Sequence, residues 1–253
     1  MIKYNPQHDL LLQEFTNINW HEERQQLKNS SLNKFPFLPL DIKIPKSDRK
    51  IIFEQLKTQN KKMNEIPLFG QDYQPGANKI WFYGMTTGKD WIKDYKEWYK
   101  ISSDTDIQDI DHLDRIMSKY EHEWKIDCPE LKKFIDSFPK KKLYSVEGAN
   151  YRPGGKAYVH HDREKFNRVS GDLLYGRIYI PIEWEDSASL YWYGFGKVPI
   201  ESGRVYVLNT RQIHGSHNRS AEHRYAVHFA INPKTSKFED LLQSSKQNFL
   251  KTF

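Results

Sequence analysis

Three residues, His160, Asp162 and His214, have the types and spacing of an open metal site. In an extended strand residues i and i+2 project from the same face, so His160 and Asp162 can hold one ion while His161 between them points away. His214 comes much later, in a stretch that also reads as strand, and a folded-over sheet would bring it opposite the first pair. Two neutral imidazoles and one carboxylate leave half of an octahedron open, the donor set of non-haem Fe(II) oxygenases and unlike a closed structural zinc. Arg224 stands ten positions beyond His214, at the head of a strand running to Ala230. Its guanidinium is permanently charged and presents a planar fork, which suits the distal carboxylate of a dicarboxylic cosubstrate. In a chain with 10 His, an HxD triplet alone is ordinarily a solvated strand end. The ordered combination is what points to iron.

From Leu143 onward the chain breaks into short β-rich runs, over 144–150, 157–161, 174–182, 190–193, 197–200, 204–208 and 225–231. Strands this short and closely spaced predict a sandwich or barrel, and the order of the ligands favours a jelly roll. Parity sets Arg177 and Tyr179 against Ile178 and Ile180, and sets Arg224, Ala226 and His228 against Tyr225, Val227 and Phe229. An arginine pointing into a barrel is costly without a partner, so an anionic ligand is the simplest explanation and an internal salt bridge the alternative. His228 faces either the pocket or a hydrogen-bonded core. The charged stretch after the metal pair, from Arg163 through Arg168 to Gly171, is either a lid or an ordinary loop.

The first part of the chain reads as mixed helix and loop. Pro36, Pro39 and Pro45 predict an extended segment, and Ser47 is placed to cap a helix starting at Asp48. Residues 80–83 read as a strand closed by Gly84. Trp91, Ile92, Tyr95, Trp98 and Tyr99 form an aromatic stripe on one helix face, expected in the core. Two more helices follow, one marked by Ile107, Ile110, Leu113, Ile116, Met117 and Tyr120. The other is capped at Asp127 or Cys128, starts at Pro129 and carries Leu131, Phe134, Ile135 and Phe138. Lys140-Lys141-Lys142 fits a solvated helix end. Ser236-Lys237-Phe238-Glu239 predicts a capping box for a terminal helix, which either docks on its own core or pairs two subunits in a homodimer. The expectation is one integrated α+β domain with a mainly β core: a mixed portion over 1–142, the jelly-roll core over 143–233 and a C-terminal helix over 234–253.

A length of 253 residues supports one sizeable core. The net charge of +6 suits acidic small molecules, and without a defined motif it does not point to nucleic acid. A single cysteine excludes an intrachain disulfide, and no apolar run approaches membrane-spanning length; a soluble, cytoplasmic protein is expected.

Across roughly residues 143 to 232 the chain resembles the aspartyl/asparaginyl β-hydroxylase family, including its bacterial proline-hydroxylase relatives, within the Fe(II)/2-oxoglutarate dioxygenases. The resemblance is carried by Pro153-Gly154, His160-x-Asp162, Arg177 before Ile178-Tyr179-Ile180-Pro181-Ile182, Gly203, Asn209-Thr210, His214, Asn218 and Arg224. It implies a cupin-like double-stranded β-helix in which His160, Asp162 and His214 hold iron and Arg224 grips 2-oxoglutarate, with Arg177 and Tyr179 beside the cosubstrate. Two departures stand out: Ala226 replaces a frequent hydroxyl residue two after the arginine, and Tyr179 replaces a frequent histidine. The implied reaction uses O2, 2-oxoglutarate and Fe(II) to hydroxylate an unactivated C–H bond, and the carboxylate at Asp162 argues against halogenation. Arg177 besides Arg224 leaves a cation for a second anionic group, which predicts a free amino acid or similar small carboxylate. Arg177, Arg163 or Arg168 would receive its carboxylate, and Asn150, Tyr151 or Trp192 would shape the pocket. The rival expectations are a peptidyl or protein side-chain hydroxylase, a metalloenzyme of cupin type that does without 2-oxoglutarate, and a jelly-roll binding module that does not turn over.

Overall fold

The computed structural model describes residues 27–63, 77–87, 90–102, 109–160, 177–184, 188–192, 196–210 and 212–251. Eleven strands and five α-helices occur among them. In chain order they are β1 (Phe37–Lys43), α1 (Lys46–Met63), β2 (Ala77–Thr86), α2 (Trp91–Ser102), α3 (Ile110–Met117), β3 (Glu121–Trp124), α4 (Pro129–Ser137), β4 (Lys142–Tyr151), β5 (Lys156–His160), β6 (Arg177–Glu183), β7 (Ala188–Trp192), β8 (Gly196–Lys197), β9 (Arg204–Leu208), β10 (His214–Asn218), β11 (Arg224–Asn232) and α5 (Ser236–Lys251).

The strands form a seven-stranded sheet, β1-β9-β6-β11-β4-β2-β3, and a four-stranded sheet, β5-β10-β7-β8. Every pairing is antiparallel, and β4 to β11 close on themselves: β4 pairs with β11, β5 with β10, β6 with β9 and β7 with β8. First with last, second with second-last is the winding of a jelly roll, so the core is jelly-roll-like and the whole α+β. Leu190 and Trp192 of the small sheet belong to the same buried cluster as Tyr179, Tyr206 and Ala226 of the large one. One core therefore lies between the two sheets.

Alternation along β11 assigns the faces. Tyr225 meets Phe53 of α1 edge-on at 5.3 Å, and Phe229 meets Phe138 at the end of α4 at 5.1 Å. Tyr225, Val227 and Phe229 thus cover the helix side, and Arg224, Ala226 and His228 take the inner face. At Gly148 of β4 helix α1 comes close to the sheet: a Cβ there would lie 2.6 Å from the Leu56 side chain. Of the aromatic stripe of α2, Tyr95 and Trp98 pack as expected, in a second buried cluster with Trp81, Tyr144 and Ala230.

Several local details add to or differ from the sequence reading. Helix α1 begins at Lys46, and the Ser47 hydroxyl donates to Asp48 Oδ1 in place of capping. At α5 the cap is Thr235, whose Oγ1 accepts from Phe238 N, so Ser236 is already helical. Asp109 caps α3 by accepting from His112 N at 2.6 Å. The Cys128 side chain makes no cap bond on α4. Lys140 does serve the end of that helix, donating to the carbonyls of Ile135, Asp136 and Phe138. Strand β2 runs through Gly84, and the segment expected at 197–200 is strand only over Gly196–Lys197. The proline-punctuated segment is β1, hydrogen-bonded to β9, and β3 extends the far edge beside β2. Helix α5 lies along β1, with Phe249 against Phe37 at 5.6 Å and Ser245 Oγ accepting from Asp41 N. Its apolar face is used within the chain. No helix among the described residues is long and apolar enough to cross a membrane.

Candidate functional site

The turn between β4 and β5 sets the geometry of the site. Pro153 and Gly154 occupy its central positions, Gly155 N donates to Arg152 O at 2.7 Å, and Gly154 has φ 73°. That combination is a type II turn, which favours proline followed by glycine. Asn218 at the end of β10 clamps it: its Nδ2 donates to the carbonyls of Tyr151, Arg152 and Glu222 at 2.9, 3.1 and 2.7 Å, and its Oδ1 accepts from Ser220. Strand directions then define two ends of the interior. β4 and β10 run toward this turn end, β5 and β11 run away from it, and β6, antiparallel to β11, runs toward it. Tyr151 and Arg224 are cross-strand partners at the turn end. His160, His214 and Arg177 therefore all lie toward the opposite end.

At that far end the register sets His214 directly opposite His160 on one side and Trp192 on the other. The predicted pairing of two histidine-bearing strands is thus present in the backbone. His214 Nδ1 lies 2.9 Å from Gln212 O, so the tautomer that donates there carries its lone pair on Nε2. The Trp192 indole stacks on the imidazole at 4.9 Å and 14°, and its own Nε1 donates to Asn209 O. Ring orientation is fixed by a bond on one edge and a stacked face, as a metal ligand requires. Asp162, His161, Arg163 and Arg168 lie outside the described residues. Among the described ones no cluster of three metal-capable side chains occurs.

Between the two ends the inner face of the large sheet carries the remaining candidates. Arg224 is 3% exposed, and its Nη1 donates to His223 O at 3.3 Å. Tyr179 is buried, and its hydroxyl has no hydrogen-bond partner among the described residues. Burial pushes the phenol well above its ordinary pKa, which keeps it a donor. Tyr179 meets His228 edge-on at 4.8 Å and Trp184 at 6.0 Å, and Trp184 also meets Tyr151. Ala226 is fully buried among these rings. A buried guanidinium at one end and a buried hydroxyl donor farther along the same face, opposite His228, fit a carboxylate-terminated ligand lying along the interior.

Asn150 stands apart from this group. It pairs with Tyr225, whose ring faces α1, and its Oδ1 lies 2.9 Å from His223 Nδ1, so it belongs to the helix-covered side and cannot shape the interior. Tyr151, one residue on, takes the inner side. Two inner residues escaped sequence reasoning. Trp184 follows the end of β6, beyond the alternating pattern, whereas Glu147 of β4 carried a usable signal: a charged residue inside an apolar strand, 6% exposed and in register with His228.

No protein-family model matches the chain, and no curated protein matches it. Solved structures with a similar course include a Trichoplax adhaerens prolyl hydroxylase in complex with a hypoxia inducible factor peptide (13% identity, 92% of this chain and 98% of that one, TM-score 0.42). A viral collagen prolyl hydroxylase from Paramecium Bursaria Chlorella virus-1, complexed with 2OG, has 11% identity over 79% of this chain and 97% of that one, with TM-score 0.40. HygX from Streptomyces hygroscopicus, with nickel, 2-oxoglutarate and hygromycin B bound, has 12% identity over 84% and 87%, with TM-score 0.39. The chemistry of the site therefore rests on this chain's own residues.

Proposed function

We propose that the chain is a Fe(II)- and 2-oxoglutarate-dependent dioxygenase on a double-stranded β-helix, related to the aspartyl/asparaginyl β-hydroxylases, that hydroxylates an unactivated C–H bond of a free amino acid or similar small carboxylate. The observation that carries this reading is the register of β5 and β10, which sets His160 opposite His214 at one end of an interior whose other end holds the buried Arg224. His160, Asp162 and His214 would hold the iron, which would let O2 act as the oxidant of the C–H bond while 2-oxoglutarate is oxidised alongside it. Arg224 receives the distal carboxylate of 2-oxoglutarate at the turn end, and Tyr179 donates a second hydrogen bond along the way. Arg177, at the iron end, would receive the carboxylate of the substrate. Trp192 holds the His214 ring in plane, so its part is positioning. Trp184, Tyr151 and Tyr179 exclude water from the cosubstrate. The three segments of the chain act as one integrated domain, because β1, β2 and β3 belong to the sheet that carries Arg224. Buried Cys128 as the sole cysteine suits a reducing, cytoplasmic setting.

The test is anaerobic titration with Fe(II) and 2-oxoglutarate, followed by succinate release in air, on the natural chain and on Asp162→Ala. The charge-transfer band and the succinate are expected in the natural chain and lost in the folded variant. Full succinate production by Asp162→Ala would overturn the metal assignment.

A further inference from the structure

The ring of His214 is fixed by a turn that is itself tied to a distant part of the chain. Between β9 and β10 the backbone reverses over 209–212, where Gln212 N donates to Asn209 O at 3.1 Å. The same Asn209 carbonyl accepts from Trp192 Nε1 at 3.1 Å, using its second lone pair, and Gln212 O is the acceptor 2.9 Å from His214 Nδ1. One turn therefore holds both the indole stacked on the imidazole and the carbonyl that selects its tautomer. The segment leading into β1 holds the turn in place. Asn209 N donates to Pro36 O at 2.9 Å, Asn209 Nδ2 to Phe35 O at 3.1 Å and Gln212 Nε2 to Lys34 O at 3.3 Å. Phe35 is fully buried, with the Phe249 ring of α5 at 6.3 Å and Lys246 Nζ 5.4 Å above its own ring, so the anchor is set in the core.

We propose that Asn209 is a positioning residue for the iron ligand: its side-chain amide locks the 209–212 turn to Phe35, and through that turn it keeps His214 in one orientation and in the tautomer whose Nε2 carries the lone pair. This deepens the function proposed above and rests on its assignment of His214 to iron. The backbone bonds of the turn are open to any residue, whereas the bond to Phe35 O needs a side-chain donor at a position only 4% exposed. Alanine there leaves a buried carbonyl without that donor, and aspartate sets two acceptors face to face. Either change is relieved by movement of the turn, which carries Trp192 and His214 with it because both are bonded to it. A metal-bound histidine depends on the partner of its second ring nitrogen for tautomer and orientation alike.

The experiment is anaerobic calorimetric titration of Fe(II) into the metal-free natural chain and into Asn209→Ala. The His214 ring nitrogens are followed in both by long-range proton–nitrogen correlation NMR at about pH 8, where an ordinary imidazole is neutral. The natural chain should show the tautomer protonated on Nδ1. Asn209→Ala should show a mixture of the two tautomers and an Fe(II) affinity weakened about 10-fold, the lower end of what loss of such a support costs. Gly148→Ala, which strains the helix-covered side, is the control for stability alone and should keep the natural tautomer and, within about 2-fold, the natural affinity. An unchanged Fe(II) affinity in folded Asn209→Ala overturns the proposal, as does a natural chain in which His214 is protonated on Nε2. Should Asn209→Ala fail to fold by circular dichroism, Asn209→Asp takes its place, and the tautomer of the natural chain decides in any case. Unchanged affinity in Asn209→Ala beside lost affinity in His214→Ala removes the positioning role but leaves the oxygenase standing. Fe(II) that binds the natural chain and His214→Ala equally removes both.

Discussion

Arg224→Lys separates the two ends of the interior. Arg224 is 3% exposed at the turn end, opposite Tyr151, whereas His160 and His214 sit at the other end of their strands. Lysine keeps the charge but replaces a planar fork with a single point donor, so two parallel bonds to a carboxylate become one. One charge-assisted bond contributes about 1.5–3 kcal/mol, which converts to a rise of about 10- to 150-fold in the 2-oxoglutarate requirement. The Fe(II) affinity should stay within about 2-fold, because no iron-bearing strand pairs with the turn end of β11. KM for 2-oxoglutarate is read from succinate release, and Fe(II) binding from anaerobic titration. An unchanged cosubstrate requirement would refute the assignment and move the role to Arg177. A parallel loss of iron and cosubstrate would mean that Arg224 only holds the fold.

Three further outcomes follow from the packing. Asn218→Ala removes the clamp on the Pro153-Gly154 turn and strands three carbonyls, so denaturant unfolding should show a loss of about 2–4 kcal/mol. Gly148→Ala forces a Cβ against Leu56 at 2.6 Å and should cost about 1–3 kcal/mol by the same measurement, while the 2-oxoglutarate requirement, set on the other face of the sheet, is unchanged. His122 is held below its ordinary pKa by burial and, secondarily, by Lys142. The unfolded chain therefore takes up the proton first as pH falls, so stability should decline from about pH 7 downward through the ordinary histidine range. His122→Asn should flatten that decline; an equally steep one would assign it elsewhere.

Much of the strand-rich half was legible because its determinants are local. Period-two alternation marks β4, β6, β9 and β11, Pro153-Gly154 dictates its own turn, and the side chains of His214 and Arg224 announce their chemistry wherever they fall. Even the separation of Arg224, Ala226 and His228 from Tyr225, Val227 and Phe229 follows from strand geometry alone. Which of those two faces looks inward does not. Asn150 was placed in the pocket and Glu147 overlooked because a strand's inner side is defined only by what packs on it, here α1 and α4 against the Tyr225 side. Likewise β1 read only as an extended segment and β3 carried no strand signal, since a strand at a sheet's edge takes its partner from residues distant in sequence. Thr235 and Ser236 are adjacent hydroxyls, and only the direction of the entering chain chose between them as the cap. The sequence by itself determined which groups could bind iron or a dicarboxylate. Tertiary structure decided which groups share a cavity and at which end, because register is a long-range choice: a slip of one residue sends every side chain of a strand to the opposite face.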